Sequence, residues 1–171
     1  HLMDTVVYLC HELQNNFIPD YKPFTYTIEP LMHTDIDELV SVARKSFSTH
    51  KGHYHVDPRL DIVKATEVYS SWAENCCRNP KVASHVMVAK VDKRIVGFRA
   101  IRLNSPIEAE FILAAVLPEM RNRGIYQGFV IEGLRWSKAA GAAKVLNSTI
   151  LINKPVINTC TRLNFTVYKS N

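Results

Sequence analysis

The chain has 171 residues, of which 47% are hydrophobic and 22% charged, and 21 Lys and Arg against 16 Asp and Glu leave a net charge of +5. That length reads as about one domain, and the composition excludes a disordered tail, a collagen-like fibre and a low-complexity array. The longest strongly apolar run, Phe111 to Leu117, is far short of the ~20 residues that span a bilayer, and no secretory signal heads the chain.

The positive charge mildly favours anionic partners, yet the two signs are interspersed and no Lys/Arg block stands out, so most of it reads as solvated surface. The four cysteines, Cys10, Cys76, Cys77 and Cys160, form no C-x-x-C pair. Neither a zinc knuckle nor a redox motif is written, and a reducing, cytoplasmic setting is expected.

The chain opens His1-Leu2-Met3, where the first two residues resemble an expression scar, and enters a strand-like run from Thr5 to Cys10 with no partner nearby in sequence. Phe24 to Glu29 reads as a short strand before Pro30. Thr34, with Asp37 three residues on, has the pattern of a capping box, and Ile36, Leu39, Val40, Ala43 and Phe47 recur at helical spacing behind it. Ser48 to Arg59 reads as a loop. A second helix is predicted from Asp61 to Arg78, with Ile62, Ala65, Thr66, Tyr69, Trp72, Ala73 and Cys76 as its buried stripe and Pro80 as its stop.

The period then changes. Val82 to Val91 and Arg94 to Leu103 flank Asp92-Lys93 as a hairpin, and Gly97 marks a bulge or a close backbone approach. Glu108 to Val116, nearly all apolar after Glu110, predicts a strand covered on both faces. A helix from Ile125 to Ala140 follows, closed by Gly141. Lys144 to Ile152, Pro155 to Leu163 and Phe165 to Tyr168 read as strand, short helix and strand. The order β-α-α-β-β-β-α-β-α-β predicts a mixed α/β sheet with an antiparallel meander ahead of a βαβ-type unit.

Between the apolar strand and its helix lies Pro118-Glu119-Met120-Arg121-Asn122-Arg123-Gly124-Ile125-Tyr126. Its free amides lie at the positive end of a helix, Gly124 allows close backbone approach, and Arg121 and Arg123 add donors, so the segment suits an anion such as a phosphate. A turn with two solvated arginines is the other reading.

Arg121-x-x-Gly124 after Ala115-Val116-Leu117-Pro118, together with Asn153-Lys154-Pro155-Val156-Ile157-Asn158-x-Cys160-x-x-Leu163-Asn164-Phe165, resembles the GNAT N-acetyltransferases, over about Phe24 to the C-terminus. The resemblance implies a GNAT fold, with an antiparallel meander, a splayed parallel strand pair and helices on both faces. Acetyl-CoA would lie in the splay as co-substrate. The implied cofactor contacts are Ala114, Ala115 and Val116 for pantetheine, Arg121, Asn122, Arg123, Gly124, Ile125 and Tyr126 for pyrophosphate, and Asn153 at the end of the second strand.

Arg44-Lys45-Ser46-Phe47, His53-Tyr54-His55-Val56-Asp57-Pro58-Arg59-Leu60 and Tyr69-Ser70-Ser71-Trp72 further resemble the subgroup that acetylates dTDP-4-amino-4,6-dideoxygalactose (dTDP-fucosamine). This implies a small-molecule amine acceptor, a nucleotide-linked amino sugar in that subgroup, with His55, Asp57 and Arg59 on the acceptor side. It also implies that residues 1–22 are a scar plus the last strand of a truncated N-terminal domain, and that 23–171 form the acetyltransferase domain.

Three positions depart from the family pattern. Tyr126 stands where Gly or Ala is usual, and Asn164 replaces a Gly. Cys160 stands where the family's general-acid tyrosine falls. Cys160 as acid, with His55 or a water chain as base, is one catalytic reading; a buried structural cysteine, with Tyr126 or solvent supplying the proton, is the other. A non-catalytic acyl-CoA-binding module and an acetyltransferase of a protein or peptide amine remain as rivals, and a homodimer is open.

His50, His53, His55 and Asp57 have spacing that could ligate a metal, but a surface or substrate-side loop is the expected role, with no metal site. Tyr69 and Trp72 read as core, and His85 as a strand-face residue. Arg99 and Arg102 could form a basic strand face, but without interleaved exposed aromatics neither nucleic acid nor a membrane is expected as a partner.

Overall fold

The structure, a computed structural model, describes residues 5–23, 25–48 and 62–170. Seven strands form one sheet: β1 (Val6–Glu12), β2 (Thr27–Pro30), β3 (His85–Val91), β4 (Arg94–Ser105), β5 (Glu108–Val116), β6 (Lys144–Ile150) and β7 (Thr166–Ser170). Four helices accompany them among the described residues: α1 (Ile36–Ser48), α2 (Ile62–Arg78), α3 (Ile125–Ala139) and α4 (Lys154–Arg162). The spatial order is β2-β3-β4-β5-β6-β1-β7. Every pairing is antiparallel except β5 with β6.

Local signals set most of this. Asp92 and Lys93 both take positive φ, 48° and 66°, as a two-residue hairpin turn demands. A Cβ on Gly97 would stand 2.8 Å from the Ala115 carbonyl oxygen, so the glycine marks the expected close approach of β4 to β5. Ala100 faces Leu113 while Ile101 faces Phe111. Ile112 is therefore an extra residue, a bulge that bends β5.

The strand β1 finds its partners far along the chain, β6 on one side and β7 on the other. The sheet is covered in two layers. On one face α1 and α2 bury Leu39, Val42, Phe47, Ala73 and Cys76 against Val88, Phe98, Ala100 and Leu113. On the other, α3 and α4 bury Phe129, Ile131, Leu134 and Cys160 against Leu9, Met87, Phe111 and Val145. Each fully buried large apolar side chain contributes roughly 1.5–3 kcal/mol.

Four expectations need correction. Thr34 does not cap α1: it sits inside a 3-10 turn, His33–Asp35, and its hydroxyl bonds Asp35 Oδ1 at 3.3 Å. Val42 fills the core position expected of Val40, which is half-buried. Trp72 is 38% exposed; Tyr69 carries that part of the stripe by stacking on Phe47 at 4.4 Å. And β5 is buried only at every second residue; Ala114 and Val116 are half-buried because they edge a cleft.

His11 on β1 is fully buried, tilted over Phe165 at 5.2 Å, and neither ring nitrogen has a hydrogen-bond partner. Burial holds its pKa below the usual histidine value. The unfolded chain therefore takes up a proton that the folded chain refuses, so stability falls as pH drops below about 6.5. His11→Phe should flatten the dependence of stability on pH between about 7 and 5 and leave the protein about 1 kcal/mol more stable at the acid end. Urea denaturation of both proteins across that range checks this.

Candidate functional site

The parallel pair sets the site. β5 and β6 pair from Glu108 with Lys144 to Phe111 with Asn147 and no further, although the strands run on to Val116 and Ile150. Beyond that last pair β5 keeps β4 on one side, up to Gly97 with Val116, and turns its other edge to a gap. A cleft of about 590 Å³ opens there. Ala114, Ala115 and Val116 form its β5 wall, and Asn153, Pro155, Val156 and Thr159 face them from the start of α4.

The outer end is the loop from β5 to α3. After a 3-10 turn (Pro118–Met120), Asn122 and Gly124 take left-handed φ of 61° and 77°. The amides of residues 122–127 make no hydrogen bond within the described chain; the first in-register bond of α3 is Gly128 N–H to the Gly124 carbonyl, at 2.9 Å. Unpaired amides at the N-terminus of a 15-residue helix form an anion cradle.

The cradle is braced from below. The Tyr26 hydroxyl donates to the Gly124 carbonyl at 2.9 Å, and the Tyr21 hydroxyl, 3.2 Å from that carbonyl, shares a 2.6 Å hydrogen bond with the Tyr26 hydroxyl. Burial, then the bond to Tyr21, holds the Tyr26 phenol well above its ordinary pKa, so it stays a donor. Arg121 spans the cleft wall, with Nε bonding the Val116 carbonyl at 3.4 Å and Nη2 the Ser46 carbonyl of α1 at 3.3 Å. Asn153 precedes α4 and donates from Nδ2 to Thr149 Oγ1 at 3.0 Å.

At the inner end, where β5 and β6 part, four polar side chains meet. Asn147 Nδ2 donates to Cys160 Sγ at 3.2 Å and to Tyr126 Oη at 3.4 Å. Arg99 is 1% exposed, and its Cζ lies 4.3 Å from the Phe111 ring centre and 4.9 Å from that of Tyr126. Its Nε and Nη2 have no hydrogen-bond partner. Cys160 is fully buried, and burial pushes its thiol up.

All the residues expected to contact cofactor line the cleft except Arg123, which is exposed. Cys160 does not line it. His50, His53, His55, Asp57 and Arg59 lie outside the described residues, and no group of three metal-ligating side chains occurs among the described ones. Arg99 and Arg102 do not share a basic face: Arg99 is buried, and Arg102 is bound to Glu110 at 2.7 Å. Sequence reading missed Tyr21, Tyr26 and Asn147. For Arg99 one signal was present, a lone charge inside the apolar run Ile95 to Ile101.

A splayed parallel pair with an amide cradle at its mouth thus puts two unpaired backbone surfaces on one cleft. The sequence model of the acetyltransferase (GNAT) family matches residues 37–165, and the chain belongs to that family. No curated protein matches it. Solved structures share the fold. A tandem GNAT protein from the clavulanic acid biosynthesis pathway is 14% identical, with TM-score 0.68 over 99% of this chain and 52% of that one. A GNAT-type N-acetyltransferase from Sphaerobacter thermophilus is 14% identical, with TM-score 0.67 over 98% and 49%. A glucosamine N-acetyltransferase region of a fungal multi-domain β-N-acetylglucosaminidase is 15% identical, with TM-score 0.69 over 98% and 20%. The chain thus spans about half the length of the first two and a fifth of the third.

A Cβ on Gly124 would stand 2.8 Å from Tyr21 Oη, at a φ of 77°. Gly124→Ala should cost about 1–2 kcal/mol of stability and weaken binding of CoA at least tenfold by turning the cradle amides. Calorimetric titration with CoA checks the second effect; unchanged affinity would remove the loop from the site.

Proposed function

We propose that the chain transfers an acetyl group from acetyl-CoA to a primary amine. The observation that carries the reading is the coincidence of two unpaired backbone surfaces: the β5 edge beyond Phe111 and the amides of residues 122–127. The first offers amide and carbonyl groups to a pantetheine arm, the second a site for a pyrophosphate. Ala114 and Ala115 keep the wall low enough for that approach. The positioned N–H groups of β5 past its bulge would receive the negative charge that develops on the thioester oxygen.

The acceptor we infer is an amino sugar carried on a nucleotide. Two things support it: the subgroup resemblance of residues 53–60 and 69–72, and the fold shared with a fungal glucosamine N-acetyltransferase region. The subgroup motif falls in the segment joining α1 to α2, and α1 reaches the cleft through Ser46 and Phe47. On this reading His55 takes the ammonium proton, and Asp57 and Arg59 contact the acceptor. The buried thiol at Cys160 supports a second reading, a module that binds acyl-CoA without turning it over.

Acetyl-CoA at a hundred times its Kd should stabilise the folded protein by about 2.7 kcal/mol, read as a rise in melting temperature. No shift at saturation would sink both readings. Thiol release with a panel of amino-sugar nucleotides, simple amines and peptides separates them, because a binder stays flat with every acceptor. Asn153→Ala should weaken acetyl-CoA binding by removing a cleft-edge donor worth about 1 kcal/mol, roughly fivefold.

A further inference from the structure

Behind Tyr126, and itself off the cleft lining, sits a charge that the fold alone does not explain. Among the described residues, Arg99 is the only Arg, Lys, Asp or Glu in the fully buried large side chains. Two of its nitrogens are unpartnered, and no carboxylate pairs with it among the described residues. The rings of Phe111 and Tyr126 give it a cation–π setting, which offsets only part of the desolvation cost of a buried cation. A group that becomes anionic during turnover would complete the pairing.

Tyr126 is that group by position. It lines the cleft. Its hydroxyl lies 3.4 Å from the amide of Asn147, the last β6 residue paired with β5, so it stands at the apex of the fork. From Val116 back to Ile112 the open edge of β5 covers about 13 Å at ~3.3 Å per residue. A pantetheine arm anchored by the cradle at the outer end therefore delivers its sulfur to this inner end. Cys160, in contrast, is fully buried and off the cleft wall.

We propose that Tyr126 donates the proton to the departing thiolate and that Arg99 is the positioning residue beside it, the phenol coming from α3 in place of one on α4. The proposal rests on the acetyl-transfer reading. As the C–S bond breaks, its electron pair stays on sulfur; the Tyr126 O–H bond breaks and S–H forms. The phenolate so produced is held by the Arg99 cation and the Asn147 amide, and it recovers the proton that the attacking nitrogen loses as the amide forms. Burial keeps the phenol above its ordinary pKa, so it is protonated at neutral pH, while Arg99 and Asn147 act in the opposite direction, toward the anion. The titratable groups facing the phenol are Arg99 from β4 and Cys160 from α4.

The test is thiol release from acetyl-CoA, with the best amine of the panel or, failing one, with water. Tyr126→Phe should lower kcat about 100-fold or more while the Kd for CoA stays within twofold. Arg99→Met should lower kcat at least tenfold, and Arg99→Lys should recover most of that loss. Difluorotyrosine at position 126, a more acidic phenol, should bring an alkaline limb of kcat down to lower pH, and Arg99→Met in that background should move the limb back up. A Tyr126→Phe protein that binds CoA and keeps its rate within twofold overturns the proposal. So does a difluorotyrosine protein whose pH profile matches the parent. Absence of CoA binding in the parent protein instead overturns the acetyl-transfer reading on which the proposal rests.

Discussion

The parting of β5 from β6 is the constraint from which the site follows. Two parallel strands share a regular ladder from Glu108 with Lys144 to Phe111 with Asn147. At Ile112 the bulge against β4 bends β5, and the ladder cannot continue. Backbone groups that a continuous sheet would satisfy are left open on one edge. In an interior strand of the sheet, such an edge costs stability unless water or a ligand covers it. The cleft, the low alanine wall and the placing of α4 across the gap all follow from that interruption.

The cradle depends on a second constraint, the left-handed backbone at Asn122 and Gly124. That geometry leaves the Gly124 carbonyl to accept the first helical bond, from Gly128 N–H, and its remaining lone pair is taken up by the Tyr21 and Tyr26 hydroxyls. The Gly124 carbonyl shares one peptide plane with the Ile125 amide, so fixing the first orients the second. The tyrosine pair therefore pre-orders an anion site whose two loop arginines are turned elsewhere: Arg121 is engaged with the Val116 and Ser46 carbonyls, and Arg123 is off the cleft wall.

What the sequence made legible was what short-range chemistry decides. The Asp92-Lys93 hairpin, the left-handed Asn164 and Gly141, the Gly97 approach and the phosphate loop each depend on a few adjacent residues. What it hid depends on partners distant in the chain. β1 reads as a lone strand because both its partners lie beyond residue 143. Trp72 fits the helical period of α2, but the period fixes only a face, not the width of what covers it. Arg99 and Arg102 look alike in the sequence; three residues apart on one strand they point to opposite faces, and what covers each face makes one a core residue and the other a surface ion pair.

The boundary of the family match is itself informative about how the site is held. The match begins at residue 37, yet both hydroxyls that fix the Gly124 carbonyl come from residues before it. The same stretch grips α3 again where Arg135 Nη2 donates to the Pro19 carbonyl at 3.0 Å, and β1 braces the outer side of β6 along its whole length. A parallel strand that has lost half its ladder on one side needs a full ladder on the other to keep its direction. The seven residues of β1 supply that ladder from Val6 with Ile150 to Glu12 with Lys144. The segment ahead of the matched region thus works on both walls of the cleft: it stiffens the strand that must stay apart from β5, and it sets the loop at the mouth of the gap.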